Sequence, residues 1–204
     1  MADGSGDGGD TREAIMLATY RVLHEHGYAG LSIARIAAET DLTKAALYHH
    51  FDGKDDLLLS FMEFMLDHIR EEFVVDESDP RAALGAYLDA AFLGPSGRFA
   101  GPDGETMTGR GTYVEVRAQA VHDEAYRERV DRMDETFQDR LAAVVRRGVD
   151  AGVFREVHPD LAAEVLLTLS LGAVFRRQTA GDVPVEAMRE TVERLVDAWL
   201  VVDG

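Results

Sequence analysis

Two short helices that begin with the same signals constrain the fold of this chain more than any other feature of its sequence. Ser32 and Thr43 are good N-cap residues, because their side-chain oxygens accept hydrogen bonds from the free N–H groups of a helix start. Each cap is flanked by two apolar residues at the positions of a hydrophobic staple, Leu31 with Ile36 and Leu42 with Leu47. Thr40 and Asp41 leave room only for a tight turn between the helices. The pattern predicts a helix-turn-helix packed on a longer first helix.

Helical periodicity continues along the rest of the chain, and no segment is a convincing strand. A first helix is expected at about 11–26, before the natural stop at Gly27. Further helices are expected at about 54–73, 80–93, 112–121 and 124–150, then from 159 and from 185. The sequence therefore predicts an all-α fold with about nine helices.

The composition of the chain argues against secretion and membrane insertion. Cysteine is absent, which excludes disulfides and thiol chemistry and suits a cytoplasmic protein. No apolar run reaches the roughly 18 residues that span a bilayer, so no membrane partner is expected. Residues 1–10 are rich in glycine and aspartate and lack the basic region and apolar core of a signal peptide. We expect them to form a disordered leader.

The sequence also lacks the motifs of an enzyme. It contains no His-Glu-x-x-His, no Gly-x-Ser-x-Gly and no cysteine nucleophile. The loop expected at 94–111 holds six glycines and two prolines and could form a pocket mouth, but no Gly-Lys-Ser/Thr of a phosphate loop follows. His49 and His50 diverge on a helix, as do His24 and His26, so neither pair chelates a metal. We therefore expect no catalysis, no cofactor and no metal.

The only two lysines of the chain, Lys44 and Lys54, each follow a predicted helix start, at Thr43 and Gly53. A helix N-terminus carries partial positive charge, so a cation there is unfavourable unless an anion is shared. The free N–H groups at such a start also bind phosphate. Two such starts with Tyr48 between them predict a surface that lies on a nucleic-acid backbone. The alternative is two solvated surface lysines.

Three segments together resemble the N-terminal signature of the TetR (tetracycline-repressor-like) family of regulators. They are Ser-Ile-Ala-Arg-Ile-Ala at 32–37, Leu-Thr-Lys-Ala-Ala-Leu-Tyr-His-His-Phe at 42–51 and Lys-Asp-Asp-Leu-Leu at 54–58. The resemblance covers about residues 11–60, and the remainder matches only in its helical style. It implies a DNA-binding domain at 11–53 and a helical effector-binding and dimerisation domain at 54–204.

The resemblance implies a set of DNA contacts, at Ser32, Arg35, Thr43, Lys44, Ala45, Tyr48, His49 and Lys54. Lys44 could donate to guanine O6 and N7, whereas Tyr48 and His49 would donate to phosphates and position the helix. Ala45 would touch thymine methyls or serve as a plain helix former. Lys54 would hold a phosphate at the start of the fourth helix.

Three neighbours of these contacts have other expected roles. Leu47 and Phe51 are expected in the core, and His50 could lie on either side.

The resemblance also implies an effector pocket enclosed by the fourth to seventh helices. Its candidate lining residues are mostly apolar with a few polar tips, as pockets usually are: Phe61, Met65, Tyr87, Phe92, Met107, Tyr113, Arg117 and Phe137. Arg117 could pair an anionic ligand, although an ordinary salt bridge with one of the many carboxylates is the alternative. Aromatic residues at helical spacing are also commonly core.

The last two helices carry an apolar excess that predicts a homodimer. A helix that is apolar almost all round, as from Val165 to Phe175, must be buried on several sides. Candidate contacts are Leu166, Leu169, Ala173, Val192, Leu195, Val196 and Trp199. Burial inside the monomer is the alternative.

The expected function is a ligand-responsive regulator of transcription, with repression favoured over activation. A twofold dimer supplies two DNA-binding heads for a palindromic double-stranded operator, from which a small-molecule effector would release it. The alternative is a constitutive or architectural DNA-binding protein that has no inducer.

The formal charge of −17 is unusual for a protein that binds DNA. Between Gly30 and Lys54 the acidic and basic residues balance, so the deficit lies elsewhere. Acidity with scarce lysine is typical of proteins from a salt-loaded cytoplasm, where the Debye length falls to about 3 Å at 1 M salt. An ordinary acidic protein from a GC-rich genome is the alternative.

We expect both the melting temperature and specific DNA binding to improve as KCl rises from dilute to molar concentration. Dilute buffer leaves the carboxylates unscreened, so repulsion within the protein and towards DNA is strongest there. Thermal melts and titrations of a labelled duplex over one KCl series measure both quantities. A steep, monotonic loss of binding without a gain in stability would show that the acidity is incidental, because phosphate contacts alone weaken with salt.

Overall fold

The computed structural model describes residues 7–72, 79–93 and 112–202, and within these ranges the chain folds into nine α-helices. They are α1 Asp7–Gly30, α2 Ile33–Ala38, α3 Lys44–His50, α4 Lys54–Glu72, α5 Pro80–Leu93, α6 Thr112–Gln119, α7 Glu124–Asp150, α8 Pro159–Thr179 and α9 Val185–Leu200. The predicted all-α fold is confirmed. None of the helices in the described ranges is long and apolar enough to cross a membrane. The glycine-rich segment 94–111 lies outside the described residues.

The helix-turn-helix forms as its capping signals predict. The Ser32 hydroxyl accepts a hydrogen bond from the Arg35 N–H at 3.3 Å, and the Thr43 hydroxyl accepts one from the Ala46 N–H at 3.2 Å. The staple residues Leu31, Ile36 and Leu47 are buried. α2 packs against both α1 and α3. Local capping and the staples therefore define this part of the fold.

α1 begins earlier and ends in a more complex way than its periodicity predicts. Its first residue is Asp7, so the last four residues of the leader expected at 1–10 are helical. Asp10 lies in the first turn, where its negative charge favours the partially positive helix N-terminus. At the other end Gly27 leaves the helical conformation, with φ 64° and ψ −177°, and one more turn carries the chain to Gly30. The expected stop at Gly27 is thus a bend, which a residue without Cβ tolerates.

The chain divides into two compact units. The first comprises Met1–Ile69 with Met107–Arg129, and the second comprises Arg70–Thr106 with Val130–Gly204. In the first unit α1 packs against α6 as well as α2. The boundary expected between residues 53 and 54 concerns function and stays a prediction, since the compact units divide the chain at other positions.

The core of the second unit is built around α5, which packs against both α8 and α9. Pro80 is the first residue of α5, as predicted, and the Asp79 carboxylate accepts hydrogen bonds from the next two free N–H groups, those of Arg81 and Ala82, at 2.9 and 3.1 Å. The helices α5, α7, α8 and α9 contribute large buried side chains to one cluster, among them Leu88, Phe92, Val145, Leu166 and Leu200.

The chain folds back sharply after α7, and Gly148 makes this possible. The Gly148 carbonyl accepts hydrogen bonds from the N–H groups of Val153 and Phe154, both at 2.9 Å. This brings the buried Phe154 ring directly against the Gly148 Cα, so that a Cβ there would overlap the ring. Phe154 also forms an antiparallel bridge with Val201, which ties the end of α9 to this fold-back.

We expect Gly148→Ala to lower the free energy of unfolding by about 1–3 kcal/mol, the usual cost of overpacking a core. Gly85→Ala in α5 is the matched control, because its nearest neighbour would be an Arg189 nitrogen at 3.9 Å. There the better helix propensity of alanine should stabilise by up to about 1 kcal/mol. Urea unfolding followed by circular dichroism measures both. Equal stabilities of the two variants would contradict the packing argument.

Candidate nucleic-acid interface

One face of α3 is exposed and carries the residues expected to contact DNA. Lys44, Ala45, Tyr48 and His49 are all exposed, and 59% of Tyr48 is accessible to solvent. Leu47 on the opposite side is fully buried. This separation follows from the 3.6-residue period, which places 44, 45, 48 and 49 together on one side of the helix. α3 therefore presents one polar and aromatic surface while it is anchored by a leucine.

The three neighbours of this face adopt definite positions. Phe51 is buried, which confirms the core roles expected for Leu47 and Phe51. His50 is exposed, with its ring 5.9 Å from that of His49 and 6.3 Å from that of Phe51. His50 is therefore accessible beside the predicted contact residues.

The hydroxyls of Ser32 and Thr43 already serve the protein itself as helix caps. Each oxygen accepts a backbone hydrogen bond in its own helix, which leaves the hydroxyl proton as the group that could be donated to a phosphate. Their phosphate contacts stay predictions.

Lys44 is the one lysine of the pair that is fully available. Its side chain is exposed, and in the described part of the chain its ammonium group makes no hydrogen bond or ion pair. It lies in the first turn of α3, where its charge faces the positive end of the helix dipole. An incoming anion would relieve that repulsion.

Arg35 and Lys54, in contrast, are engaged at the carbonyl end of α1. Arg35 donates a guanidinium hydrogen bond to the Gly30 carbonyl. The Lys54 ammonium donates to the Tyr28 carbonyl at 2.6 Å and lies 3.6 Å from the centre of the Tyr28 ring. The last carbonyls of a helix lack partners and attract cations. Of the cations expected on phosphate, two thus have protein partners, a pairing that crosses up to 26 residues of sequence.

Tyr28 is the centre of a polar cluster that the sequence does not predict. We call the cluster of Tyr28, Lys54, Asp55, Glu115 and Tyr126 the Tyr28 junction. The Tyr28 N–H donates to Glu115 Oε2 of α6 at 2.7 Å. Asp55 Oδ1 accepts a hydrogen bond from the Tyr126 hydroxyl at 3.0 Å and lies 3.5 Å from the Tyr28 hydroxyl oxygen. The junction joins the starts of α4 and α7, together with α6, to the end of α1.

The electrostatics of the junction keep its tyrosines protonated. Burial raises the pKa of Tyr126, and the hydrogen bond to the Asp55 carboxylate raises it further. Burial and the charge of Asp55 raise the pKa of Tyr28 in the same way. Both hydroxyls are therefore donors at any physiological pH. Only a lysine in the disfavoured first turn of α4 hinted at this cluster in the sequence.

The residues expected to line an effector pocket fall into both compact units. Phe61, Met65, Tyr113 and Arg117 belong to the first unit, Tyr87, Phe92 and Phe137 belong to the second, and Met107 lies outside the described residues. Phe61, Tyr87 and Phe92 are buried, and the others that are described are partly buried. The pocket itself stays a prediction.

Two of these candidates have defined polar partners. Arg117 donates to the Tyr113 hydroxyl at 2.6 Å, one turn earlier on α6, and its guanidinium lies 5.4 Å from the centre of that ring. Tyr87 is hydrogen-bonded to Ser170, and its burial raises its pKa to about 12. Tyr87 and Phe92 are also members of the hydrophobic core of the second unit.

The candidate dimer residues separate into two groups. Leu166, Ala173 and Val196 lie in the core of their own unit, which corrects the expectation that they face a partner. Val192 is partly buried against the same core. The remaining three are exposed: Leu169 by 42%, Leu195 by 62% and Trp199 by 38%.

α8 also exposes three apolar residues that the sequence reasoning missed, Leu161, Val165 and Phe175. A helix that is apolar all round gives no signal for which side faces its own core, because the periodic contrast between faces is missing. α5 and α7 take one side of α8, and these residues remain on the other.

Comparison with known proteins gives two family matches along the chain. Residues 15–61 match the family described as bacterial regulatory proteins, tetR family. Residues 99–201, half of the chain, match the family described as BetI-type transcriptional repressor, C-terminal.

Curated relatives extend the similarity over most of the chain. The transcriptional repressor AcnR of Corynebacterium glutamicum is 27% identical over 163 residues, which cover 78% of this chain and 75% of that protein. The repressor KstR2 of Rhodococcus jostii is 25% identical over 194 residues, which cover 91% and 88%. Other matches are shorter, and the alignment with the regulator LmrA of Bacillus subtilis covers only 45% of that protein.

Solved structures show the same fold. A TetR transcription regulator from Haloarcula marismortui superposes with a TM-score of 0.81 at 36% identity, over 94% of this chain and 99% of that one. A putative transcriptional regulator from Saccharomonospora viridis, solved in complex with choline, gives a TM-score of 0.78 at 20% identity, over 96% and 100%.

Proposed function

Because the chain belongs to the tetR family of bacterial transcriptional regulators, we propose that it represses transcription as a homodimer on a palindromic operator and is released by a small-molecule effector. Membership of this family of DNA-binding regulators confirms the expectation that the protein is not an enzyme. The repressors AcnR and KstR2 among its relatives support repression over activation.

The exposed face of α3 carries this proposal. A recognition helix must expose side chains that reach base edges and phosphates while its other side holds it on the protein. α3 meets both conditions, since Lys44 and Tyr48 are exposed and Leu47 is fully buried. Lys44 would read bases and Tyr48 would hold a phosphate.

Exposed apolar side chains on α8 and α9 support the homodimer. Both helices pack on α5 of the same chain, yet Leu169, Leu195 and Trp199 stay exposed, as do three further apolar residues of α8. Large exposed apolar surfaces of this kind mark protein–protein contacts. A second copy of the chain would cover them and supply the second head for a palindrome.

A small cation is the first effector class to test. The Saccharomonospora viridis regulator was solved with choline, and this chain shares its fold. Quaternary ammonium groups bind between aromatic rings, and Tyr87, Tyr113 and Phe137 are aromatic candidates of the expected pocket. Choline should then raise the melting temperature and weaken operator binding. A regulator without an inducer would show neither effect with choline or with a wider metabolite library.

The charge of the protein adds a condition to these assays. The net charge of −17 supports a protein that works at high salt, so the tests belong in molar as well as dilute KCl. The Haloarcula marismortui regulator, 36% identical, is a suitable comparison protein in the same series.

We expect Lys44→Ala and Tyr48→Ala to remove specific operator binding while folding and dimer mass stay intact. A lost base contact costs about 1–3 kcal/mol and relaxes discrimination at that position. Both residues are exposed, so the core is untouched. Fluorescence anisotropy on a duplex selected by the wild type from a randomised library, against a shuffled duplex, measures the loss.

Arg146→Ala is the matched control, because it removes the same charge at an exposed site in the second unit, where Arg146 pairs with Asp160 at 3.5 Å. It should retain discrimination. If Lys44→Ala binds the selected duplex as tightly as Arg146→Ala does, α3 is not the reading helix.

We expect Leu195→Asp combined with Trp199→Asp to yield folded monomers. Two carboxylates placed in an apolar interface would have to be desolvated, which opposes association. Both side chains are exposed in the single chain, so the fold should survive. Light scattering gives the mass, and Val121→Asp, a charge placed on a 67% exposed residue of the other unit, should stay dimeric. Dimer mass in the double variant would exclude this surface.

A further inference from the structure

We propose that Lys54 supports operator binding as a positioning residue that acts through Tyr28, and not as a phosphate contact. The inference rests on the proposed DNA-binding function. It replaces the role that the sequence predicts for Lys54 with one that the geometry of the Tyr28 junction supports.

Two contacts of Lys54 carry the proposal. Its ammonium donates to the Tyr28 carbonyl at 2.6 Å and stands 3.6 Å from the centre of the Tyr28 ring, so one residue provides both a hydrogen bond and a cation–π contact. Lys54 is itself partly buried. To reach a phosphate its ammonium would have to leave both contacts.

The helix dipoles favour the same arrangement. Lys54 is the first residue of α4, the end of a helix where a cation is disfavoured. Its ammonium lies instead at the carbonyl end of α1, where a cation is favoured. Asp55 and Asp56, in the first turn of α4, supply the negative charge that the start of that helix prefers.

Tyr28 is a fixed point to which Lys54 can anchor α4. Its N–H is bound by Glu115 at 2.7 Å, directly after the bend at Gly27. A Cβ on Gly27 would lie 3.2 Å from the Glu115 carboxylate, and its φ of +64° disfavours any other residue. Backbone conformation and hydrogen bonding thus define the position of Tyr28 from its N-terminal side.

The Tyr28 carbonyl connects Lys54 to the helix-turn-helix. The same oxygen accepts a second hydrogen bond, at 3.2 Å, from the N–H of Leu31, the residue before the N-cap of α2. A carbonyl oxygen has two lone pairs, and here Lys54 and the start of α2 take one each. The position of α4 and the entry into α2 are therefore set by one atom. Loss of the lysine would loosen the element that carries α3.

A double-mutant cycle on operator affinity tests this coupling. The variants are Lys54→Met, which keeps the apolar stem, Tyr28→Leu, which removes the ring, and the two combined. We expect each single variant to lose about tenfold in affinity, as for one charge-assisted hydrogen bond, and the double variant to lose no more than the weaker single variant. Tyr28→Phe keeps the ring and the carbonyl and should bind as the wild type does. Additive losses would overturn the proposal.

The salt dependence of binding tests the same point without the double variant. A phosphate contact releases counterions, so its removal makes the slope of log K against log salt shallower by about 0.9. Lys54→Met should leave the slope equal to that of the wild type, whereas Lys44→Ala should change it if Lys44 also meets a phosphate. Lys54→Arg, which can donate and stack, should restore the affinity. A slope shallower by about 0.9 in Lys54→Met would overturn the proposal even if Tyr28→Leu fails to fold.

Controls separate this inference from the proposed function. Circular dichroism and light scattering at the assay temperature must show folded dimers, so that a loss of affinity reflects positioning. If the wild type selects no duplex from a randomised library, the proposed function fails and so does the inference built on it. If the wild type binds specifically and Lys44→Ala does not, while Lys54→Met changes the slope, only the role of Lys54 is wrong.

Discussion

The arrangement of the DNA-binding head depends on the carbonyl end of α1. A helix leaves its last carbonyls without partners inside the helix, and their partial negative charge attracts cations. In this protein Arg35 of α2 binds the Gly30 carbonyl and Lys54 of α4 binds the Tyr28 carbonyl. Both helices next to the recognition helix are thus attached to the same turn of α1. Glu115 binds the opposite side of that turn, at the Tyr28 N–H.

This use of cations inside the protein determines how it can bind DNA. A chain with a net charge of −17 has little long-range attraction to a duplex, and two of the cations near α3 are already bound to backbone carbonyls. Affinity must therefore come from contact geometry on α3, mainly from Lys44 and the exposed Tyr48, more than from bulk phosphate neutralisation. Such a protein relies on the exact setting of its recognition helix, which makes the attachment of α2 and α4 important to its function.

The second unit solves a different packing problem. α5 contacts both α8 and α9 and, with α7, forms a core that covers only one side of α8. The other side keeps Leu161, Val165 and Phe175 exposed, although burial of each such side chain is worth about 1.5–3 kcal/mol. A partner surface is the natural cover for these side chains, and the exposed Trp199 of α9 adds to it.

The amino-acid sequence by itself determined the features that depend on a few neighbouring residues. The caps at Ser32 and Thr43, the burial of Leu47 and the first residue of α5 at Pro80 follow from local hydrogen bonds, side-chain periodicity and the fixed φ of proline. Nine helices and the family resemblance were predictable for the same reason, since each helix announces its start or its period within a few residues.

Only the tertiary structure decided which distant groups meet. Lys54 finds its carbonyl 26 residues away and Glu115 finds its N–H 87 residues away, and no periodicity relates such positions. The same holds for α8, where Leu166 is buried and Leu169 is exposed although both are leucines of one apolar helix. Which side a helix buries, and which carbonyl a cation reaches, is set by the packing of elements that are remote in sequence, because only packing brings their atoms within a few ångströms.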